Sequence, residues 1–251
     1  MGFYDDIMRI VKMLPVKRQT MLFSATMPPR IRTMANQILH QPKEVSIAVS
    51  RPADKIKQEI YFTGHDQKLA MTISILKKPE FESVIVFASS KDNAKRVNTD
   101  LRKAGLKTSA FHSDLEQKDR EELMRDFKSR KVKILVGTDV LSRGIDVEGI
   151  SLVLNYDVPH DPEDYIHRIG RTARAEESGV AITLVSPQDL QRFRRIEKLI
   201  GHALPVLPLP EEIGPAPDMS KAAASRQRQG RRPAGKGRPP RKSPGAGSNR
   251  P

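Results

Sequence analysis

Short apolar runs rich in β-branched residues alternate along the chain with longer segments in which apolar positions recur every three or four residues. The short runs are QTMLFSA (19–25), EVSIAV (44–49), QEIYFT (58–63), SVIVFA (83–88), TSAFH (108–112), KILVG (133–137), SLVLNY (151–156) and VAITLV (180–185). Several lack any apolar–polar alternation, which is the pattern of strands buried on both faces. Between them, Ala94, Val97, Leu101 and Ala104 share one helical face, and Leu190, Phe193, Ile196 and Ile200 share another. Ser113 and Glu116 have the spacing of a capping box. Asp161-Pro162 and Ser186-Pro187 each place a capping residue before a proline at the first helical position. Strand–helix alternation predicts an α/β fold, with a parallel sheet, right-handed crossovers and helices on both faces. Ligands of such sheets bind beyond the carboxyl ends of the strands, so chemistry is expected there.

Composition narrows the function classes. The chain has 251 residues, a formal net charge of +14 and no cysteine. Disulfides, thiolate zinc sites and thiol nucleophiles are excluded, and a reducing compartment fits. The longest apolar runs fall far short of the ~20 residues that span a bilayer, and the opening MGFYDDIMRI lacks the basic and apolar regions of a signal peptide. The charge is concentrated at the end. Residues 215–251 hold 10 Lys and Arg against the single acid Asp218, with seven Pro, five Gly and no aromatic residue. Such a segment buries too little to offset its ordering entropy and is expected to be disordered. It serves either as a solubilising tail or as an electrostatic tether to nucleic acid. Without aromatic rings to stack on bases, a tether would be non-specific and sensitive to salt.

Two segments stand out chemically. In HRIGRTAR (167–174), Arg168, Arg171 and Arg174 recur every third residue around Gly170. That spacing gathers guanidinium groups on one side, where a polyphosphate is the natural partner. The plainer alternative is a solvated basic face paired with Asp157, Asp161 or Glu163. TDVLSRGIDV (138–147) follows the apolar run KILVG directly. It would bring a hydroxyl, carboxylates and backbone N–H groups to the sheet edge, suited to sugar hydroxyls and phosphate oxygens. The plainer alternative is an Asp139 helix cap and a Gly144 turn.

These segments, in this order and spacing, resemble motifs V and VI of DEAD-box RNA helicases. VIVFASS (84–90) resembles motif IV, His112 to Arg120 resembles the family's H-G-x-x-x-Q-x-x-R segment, Ser24-Ala25-Thr26 resembles motif III, and Tyr156-Asp157-Val158-Pro159 matches a further family segment. The resemblance runs from Gly2 to about Leu209. Ser113 and Ala173 stand where the family usually has glycine. The Thr-Ala-Arg ending and the basic tail look most like bacterial RhlE-type members.

The resemblance implies a RecA-like helicase C-terminal domain over residues 55–210. Residues 1–50 would be the last part of the ATP-binding domain, and 215–251 the disordered basic tail. Neither the phosphate loop G-x-x-x-x-G-K-[ST] nor a D-E-x-D box occurs in the sequence. The chain is therefore expected to be the C-terminal portion of an ATP-dependent helicase, inactive as an ATPase by itself, with the buried strand QTMLFSA left loosely held. ATP with Mg2+ is the implied cofactor, both needing the other domain. By resemblance, Arg171 and Arg174 act as arginine fingers on the γ-phosphate, Asp146 bonds the ATP ribose, and His167 couples the nucleotide to RNA. The plainer reading of His167 is a core or capping histidine. Arg168 pairs with an acid across the cleft, and Ser24 and Thr26 link the two domains. Arg120, Gln117, Thr138, Gly144 and Ser89 are the implied contacts to the RNA backbone, although Gln117 and Arg120 also suit an ordinary exposed helix face. Ser89 and Ser90 also have the position of a cap for a helix starting near Lys91. The partner is RNA without sequence preference. A monomer in the cytoplasm, serving ribosomal or RNA-decay assemblies and no membrane, completes the expectation. The alternative is a non-catalytic RNA-binding module acting through the second domain and the tail.

Overall fold

The computed structural model describes residues 3–24, 27, 29–45, 56–141, 147, 149–172 and 179–220. Its centre is a seven-stranded sheet formed by β1 (Ile56–Phe62), β2 (Val84–Phe87), β3 (Thr108–Phe111), β4 (Ile134–Gly137), β5 (Leu152–Asn155), β6 (Gly179–Val185) and β7 (Val206–Leu207). The spatial order is β3-β4-β2-β5-β6-β1-β7, and every pairing is parallel. Six of the eight apolar runs become strands. The two-residue β7 escapes the sequence pattern because its pairing with Ile60 and Tyr61 of β1, not its own periodicity, makes it a strand.

Seven helices are described: α1 (Tyr4–Met13), α2 (Pro29–Ile38), α3 (Gln67–Leu76), α4 (Lys91–Lys103), α5 (Gln117–Lys128), α6 (Pro162–Ile169) and α7 (Leu190–Ile200). They cover both faces of the sheet. On one face Met71 and Ile75 of α3 and Val97 and Leu101 of α4 pack on Val84, Val86, Leu154 and Leu184. On the other, Tyr165 and Ile169 of α6 and Phe193 and Ile196 of α7 pack on Ile60, Ala181 and Val185. Phe127 of α5 lies over Ile85, Leu135 and Val153 on that second face. β2, β4 and β5 are buried at every position, which is why their sequences do not alternate.

Gln19–Ser24, expected as a strand, form none. Met21 is 65% exposed and Phe23 84% exposed. A strand of this kind needs neighbours on both edges to pair its backbone, and no described strand lies beside it. Glu44 and Val45 are not in a strand, and residues 46–49 of the second unconfirmed run lie outside the described residues.

Helix starts follow the sequence with two corrections. Ser90 caps α4 as its position suggests, accepting the N–H of Asn93 at 3.1 Å. The expected Ser113–Glu116 capping box does not form. α5 begins only at Gln117, after Leu115 N–H closes a turn onto the His112 carbonyl, and the Ser113 hydroxyl turns to Asp114. Asp161 and Ser186 do precede helical turns that open on proline, but neither side chain caps the turn. The Ser186 hydroxyl donates to Asp189 Oδ2 instead.

Adjacent β2 and β5 send their connections in opposite directions, β2 toward β3 and β5 toward β6. Their carboxyl ends therefore flank a topological switch point, where doubly wound sheets open a binding crevice. No helix among the described residues is long and apolar enough to cross a membrane.

Candidate functional site

The carboxyl edge is organised by two buried ionic networks that meet at Asp157. The first is built on Arg168, in the last turn of α6. Its side chain is 1% exposed and grips Asp139 with a two-pronged fork, Nε to Oδ1 at 2.6 Å and Nη2 to Oδ2 at 3.2 Å. Nη1 donates to Asn155 Oδ1 at 3.2 Å and to the Asp157 carbonyl at 2.9 Å, and the guanidinium carbon Cζ lies 5.0 Å from the Phe87 ring centre. Such a planar fork matches a carboxylate in a way an ammonium cannot. The pair joins the segment after β4 to the segment that ends α6, two stretches singled out separately in the sequence.

The second network is built on Lys68, in the first turn of α3, also 1% exposed. Its Nζ lies 3.0 Å from Asp157 Oδ1 and 3.2 Å from Asp189 Oδ2, with the Tyr156 ring 5.6 Å away. Asp157 Oδ2 accepts the Ser89 backbone N–H at 2.9 Å and the Asn93 side-chain amide. Burial by itself would raise the Asp157 pKa. The charge of Lys68 and the Ser89 hydrogen bonds outweigh it and hold the carboxyl below its ordinary value. Asp189 also takes the Ser186 hydroxyl at 2.6 Å and Arg192 at 3.0 Å.

Around these networks lies an exposed polar rim. Ser89 and Ser90 are exposed, and Thr138 and Asp139 are half-buried at the end of β4. Gly137 closes that strand where a side chain has no room. A Cβ there would come within 2.5 Å of the Phe111 carbonyl. Beyond β3, the Asp114 carboxylate bridges Lys91 at 3.1 Å and Lys95 at 2.8 Å. Those two hydrogen-bonded ammonium groups, Lys95 first, lower its pKa to about 2. His112 is buried, and its Nδ1 has no hydrogen-bond partner among the described residues. Burial, and then the charge of Lys95, push its pKa down.

The expected site residues fare differently. Ser89 and Thr138 reach the carboxyl edge. Arg120 folds back so that Nη2 donates to the Ser113 carbonyl at 2.7 Å, and Gln117, exposed, donates to Glu121 at 2.8 Å. Arg171 follows the α6 C-cap, with its Nε 3.4 Å from the His167 carbonyl. His167 is half-buried, its Nδ1 3.8 Å from Asp164. Ser24 is exposed in the N-terminal segment. Arg168 does not belong to a common basic face with Arg171, and its acid is not across a cleft. It is buried against Asp139 of the same sheet, because a guanidinium out of water needs a carboxylate and carbonyls at hand. Asp139 is thus an ion-pair partner, and it directly precedes the helical residues Val140 and Leu141. Thr26, Gly144, Asp146 and Arg174 lie outside the described residues, as does Ala173.

Lys68, Asn93, Asn155 and Asp189 were not singled out from the sequence. Only Lys68 left a trace there. It is the one charged residue in the largely apolar helix QKLAMTISIL. A lysine on a helix that apolar faces the sheet signals a buried partner. Asp157 stood out within Tyr-Asp-Val-Pro and as one possible partner of the basic face, not as the meeting point of two networks.

The family model "Helicase conserved C-terminal domain" matches residues 67–176. ATP-dependent RNA helicase CshA of Listeria monocytogenes is 39% identical over 199 residues, covering 79% of this chain and 38% of that protein. The chain thus spans about two fifths of the length of this curated relative. Among solved structures, S. cerevisiae Dbp5 bound to RNA and ADP BeF3 superposes with a TM-score of 0.74 at 32% identity, over 83% of this chain and 56% of that one. E. coli DEAD-box protein SrmB bound to regulator of ribonuclease activity A superposes with a TM-score of 0.60 at 31% identity, over 64% of this chain and 94% of that one.

Proposed function

Because this chain belongs to the DEAD-box RNA helicases and has their RecA-like C-terminal fold, we propose that its carboxyl edge is one wall of a composite cleft that closes on ATP and RNA. The observation that carries this reading is the Arg168–Asp139 fork. It fixes Arg168, in the last turn of α6, against Asp139, just after β4, at the carboxyl edge of the sheet.

In this reading the Ser89 and Thr138 hydroxyls meet RNA phosphates and riboses, and Gln117, Arg120 and Gly144 are assigned the same backbone-contacting role. Phosphate and sugar contacts carry no base identity, so RNA of any sequence binds. Arg171 and Arg174 present guanidinium charge to the γ-phosphate as charge builds there, a role worth about 10³–10⁵ in rate in related phosphoryl transfers. Asp146 accepts from the ribose, and His167 relays between the two ligands. Ser24 and Thr26 belong to the facing domain. Closure on both ligands strains a short duplex, and product release reopens the cleft. No group of three or more acidic or histidine side chains suited to a metal ion occurs among the described residues. Magnesium is therefore not assigned to this chain's residues, and no step is derived through it.

The domain limits we propose are 1–50, 55–210 and 215–251, with the last a basic arm. The RhlE-type subfamily, the monomeric state, the cytoplasm, and ribosome assembly or RNA decay as settings are part of the same proposal. A second reading is favoured by one fact of sequence, the lack of a phosphate loop and a D-E-x-D box. On that reading the polypeptide binds RNA and turns over no ATP. Competition between single-stranded RNA and DNA for the purified chain tests the RNA assignment. RNA is expected to displace DNA, and a clear preference for DNA overturns it.

A further inference from the structure

We propose that Lys68 is a positioning residue for RNA binding, acting through Asp157 on the Ser89 turn. The inference rests on the reading of the carboxyl edge as an RNA surface.

A lysine 1% exposed between two carboxylates is not a solubility device. Of its partners, Asp189 belongs to the turn that opens α7 and is held by Ser186 and Arg192. Asp157 has a different set of neighbours. One carboxylate oxygen faces Lys68, while the other takes the Ser89 N–H at 2.9 Å and the Asn93 amide. Asp157 N–H pairs with the Phe87 carbonyl at 3.2 Å, and its own carbonyl accepts from Arg168 at 2.9 Å. One residue thereby fixes the turn after β2 on one side and the Arg168 fork on the other. Ser89 and Ser90 are exposed, so this turn is held from beneath and open above. Lys68 supplies the charge that keeps Asp157 ionised and aimed at the Ser89 N–H. Without it, a buried carboxylate takes up a proton or rotates toward water, and the turn loses its anchor. Preorganising a contact group in this way preserves affinity that would otherwise go into ordering it.

The test compares Lys68→Met with Asp189→Asn in the full chain. Both disturb the same buried lysine, but only the first cuts the path to Ser89. Melting midpoints are measured first, and all titrations are run well below the lowest of them. Backbone amide resonances are then followed during titration with a short oligouridine. In the unaltered chain, Ser89 and Thr138 are expected to shift saturably. In Lys68→Met the Ser89 response is lost and the Thr138 response remains, whereas Asp189→Asn keeps both. Should Lys68→Met not fold, Lys68→Met with Asp189→Asn leaves one carboxylate deprived of its lysine instead of two and is compared with Asp189→Asn alone. An unchanged Ser89 response without Lys68, or equal losses in both variants, overturns the proposal. A wild-type chain whose Ser89 and Thr138 amides ignore oligouridine overturns the RNA reading itself, a result distinct from either.

Discussion

Arg168 and Asp139, 29 residues apart in sequence, form a two-pronged ion pair, buried on the arginine side, that ties the last turn of α6 to the end of β4. Removing the guanidinium strands Asn155 Oδ1, the Asp157 carbonyl and the Asp139 carboxylate together. Arg168→Ala is expected to destabilise the fold by about 3–5 kcal/mol, read as a fall in the urea midpoint at unchanged slope. Arg168→Lys recovers only part of this, because a single ammonium cannot bridge both oxygens and both carbonyl partners. Equal stability of the lysine variant and the unaltered chain would contradict this account of the pair.

Asp157 gives the chain an acid limit. Its carboxyl titrates below the ordinary value in the folded protein, through Lys68 and Ser89 against the opposing effect of burial. A depressed folded pKa means the stabilisation is complete above the unfolded value of about 3.9 and is lost as pH falls through the folded value. Urea midpoints measured from pH 6 downward are expected to hold and then drop below about pH 4. In Asp157→Asn that drop is shallower and starts from a lower plateau.

The pattern of burial made much of this fold legible. Unbroken apolar runs such as VIVF and ILVG announced strands covered on both sides, and the face Leu190–Phe193–Ile196–Ile200 announced α7. The short β7 depends on pairing with the distant β1, and the delayed start of α5 on a turn from His112 to Leu115, neither of which apolar periodicity encodes. The site was legible only as separate segments. Regular spacing of Arg168 and Arg171 suggested one basic face, but burial splits them, one into an ion pair and the other to the rim. The Lys68–Asp157–Asp189 cluster joins residues up to 121 positions apart, and no spacing rule connects them.

Gly137 is a point where the edge tolerates no side chain. Gly137→Ala would push a methyl group into the Phe111 carbonyl and displace Thr138. A loss of about 1–3 kcal/mol is expected, measured by thermal or urea unfolding. An alanine variant as stable as the parent would mean the end of β4 is free to move.

Asp114 holds two ammonium groups at an exposed position beside the proposed RNA surface. Its bridges should matter little for stability but should subtract positive potential. Asp114→Asn is expected to tighten oligouridine binding severalfold at low salt. It should also steepen the slope of log affinity against log salt by up to about 0.7 for each lysine released to a phosphate. Fluorescence anisotropy across a salt series measures both. Weaker binding by the variant would place RNA elsewhere.

As proposed, this chain supplies one wall of a two-domain ATP and RNA cleft. RNA-stimulated ATP hydrolysis, assayed with the chain alone and mixed with the ATP-binding domain of a DEAD-box relative, tests it most directly. No activity is expected from either part by itself, and activity in the mixture that disappears with Arg171→Ala. Hydrolysis by the chain alone, or rescue indifferent to Arg171, would contradict the account.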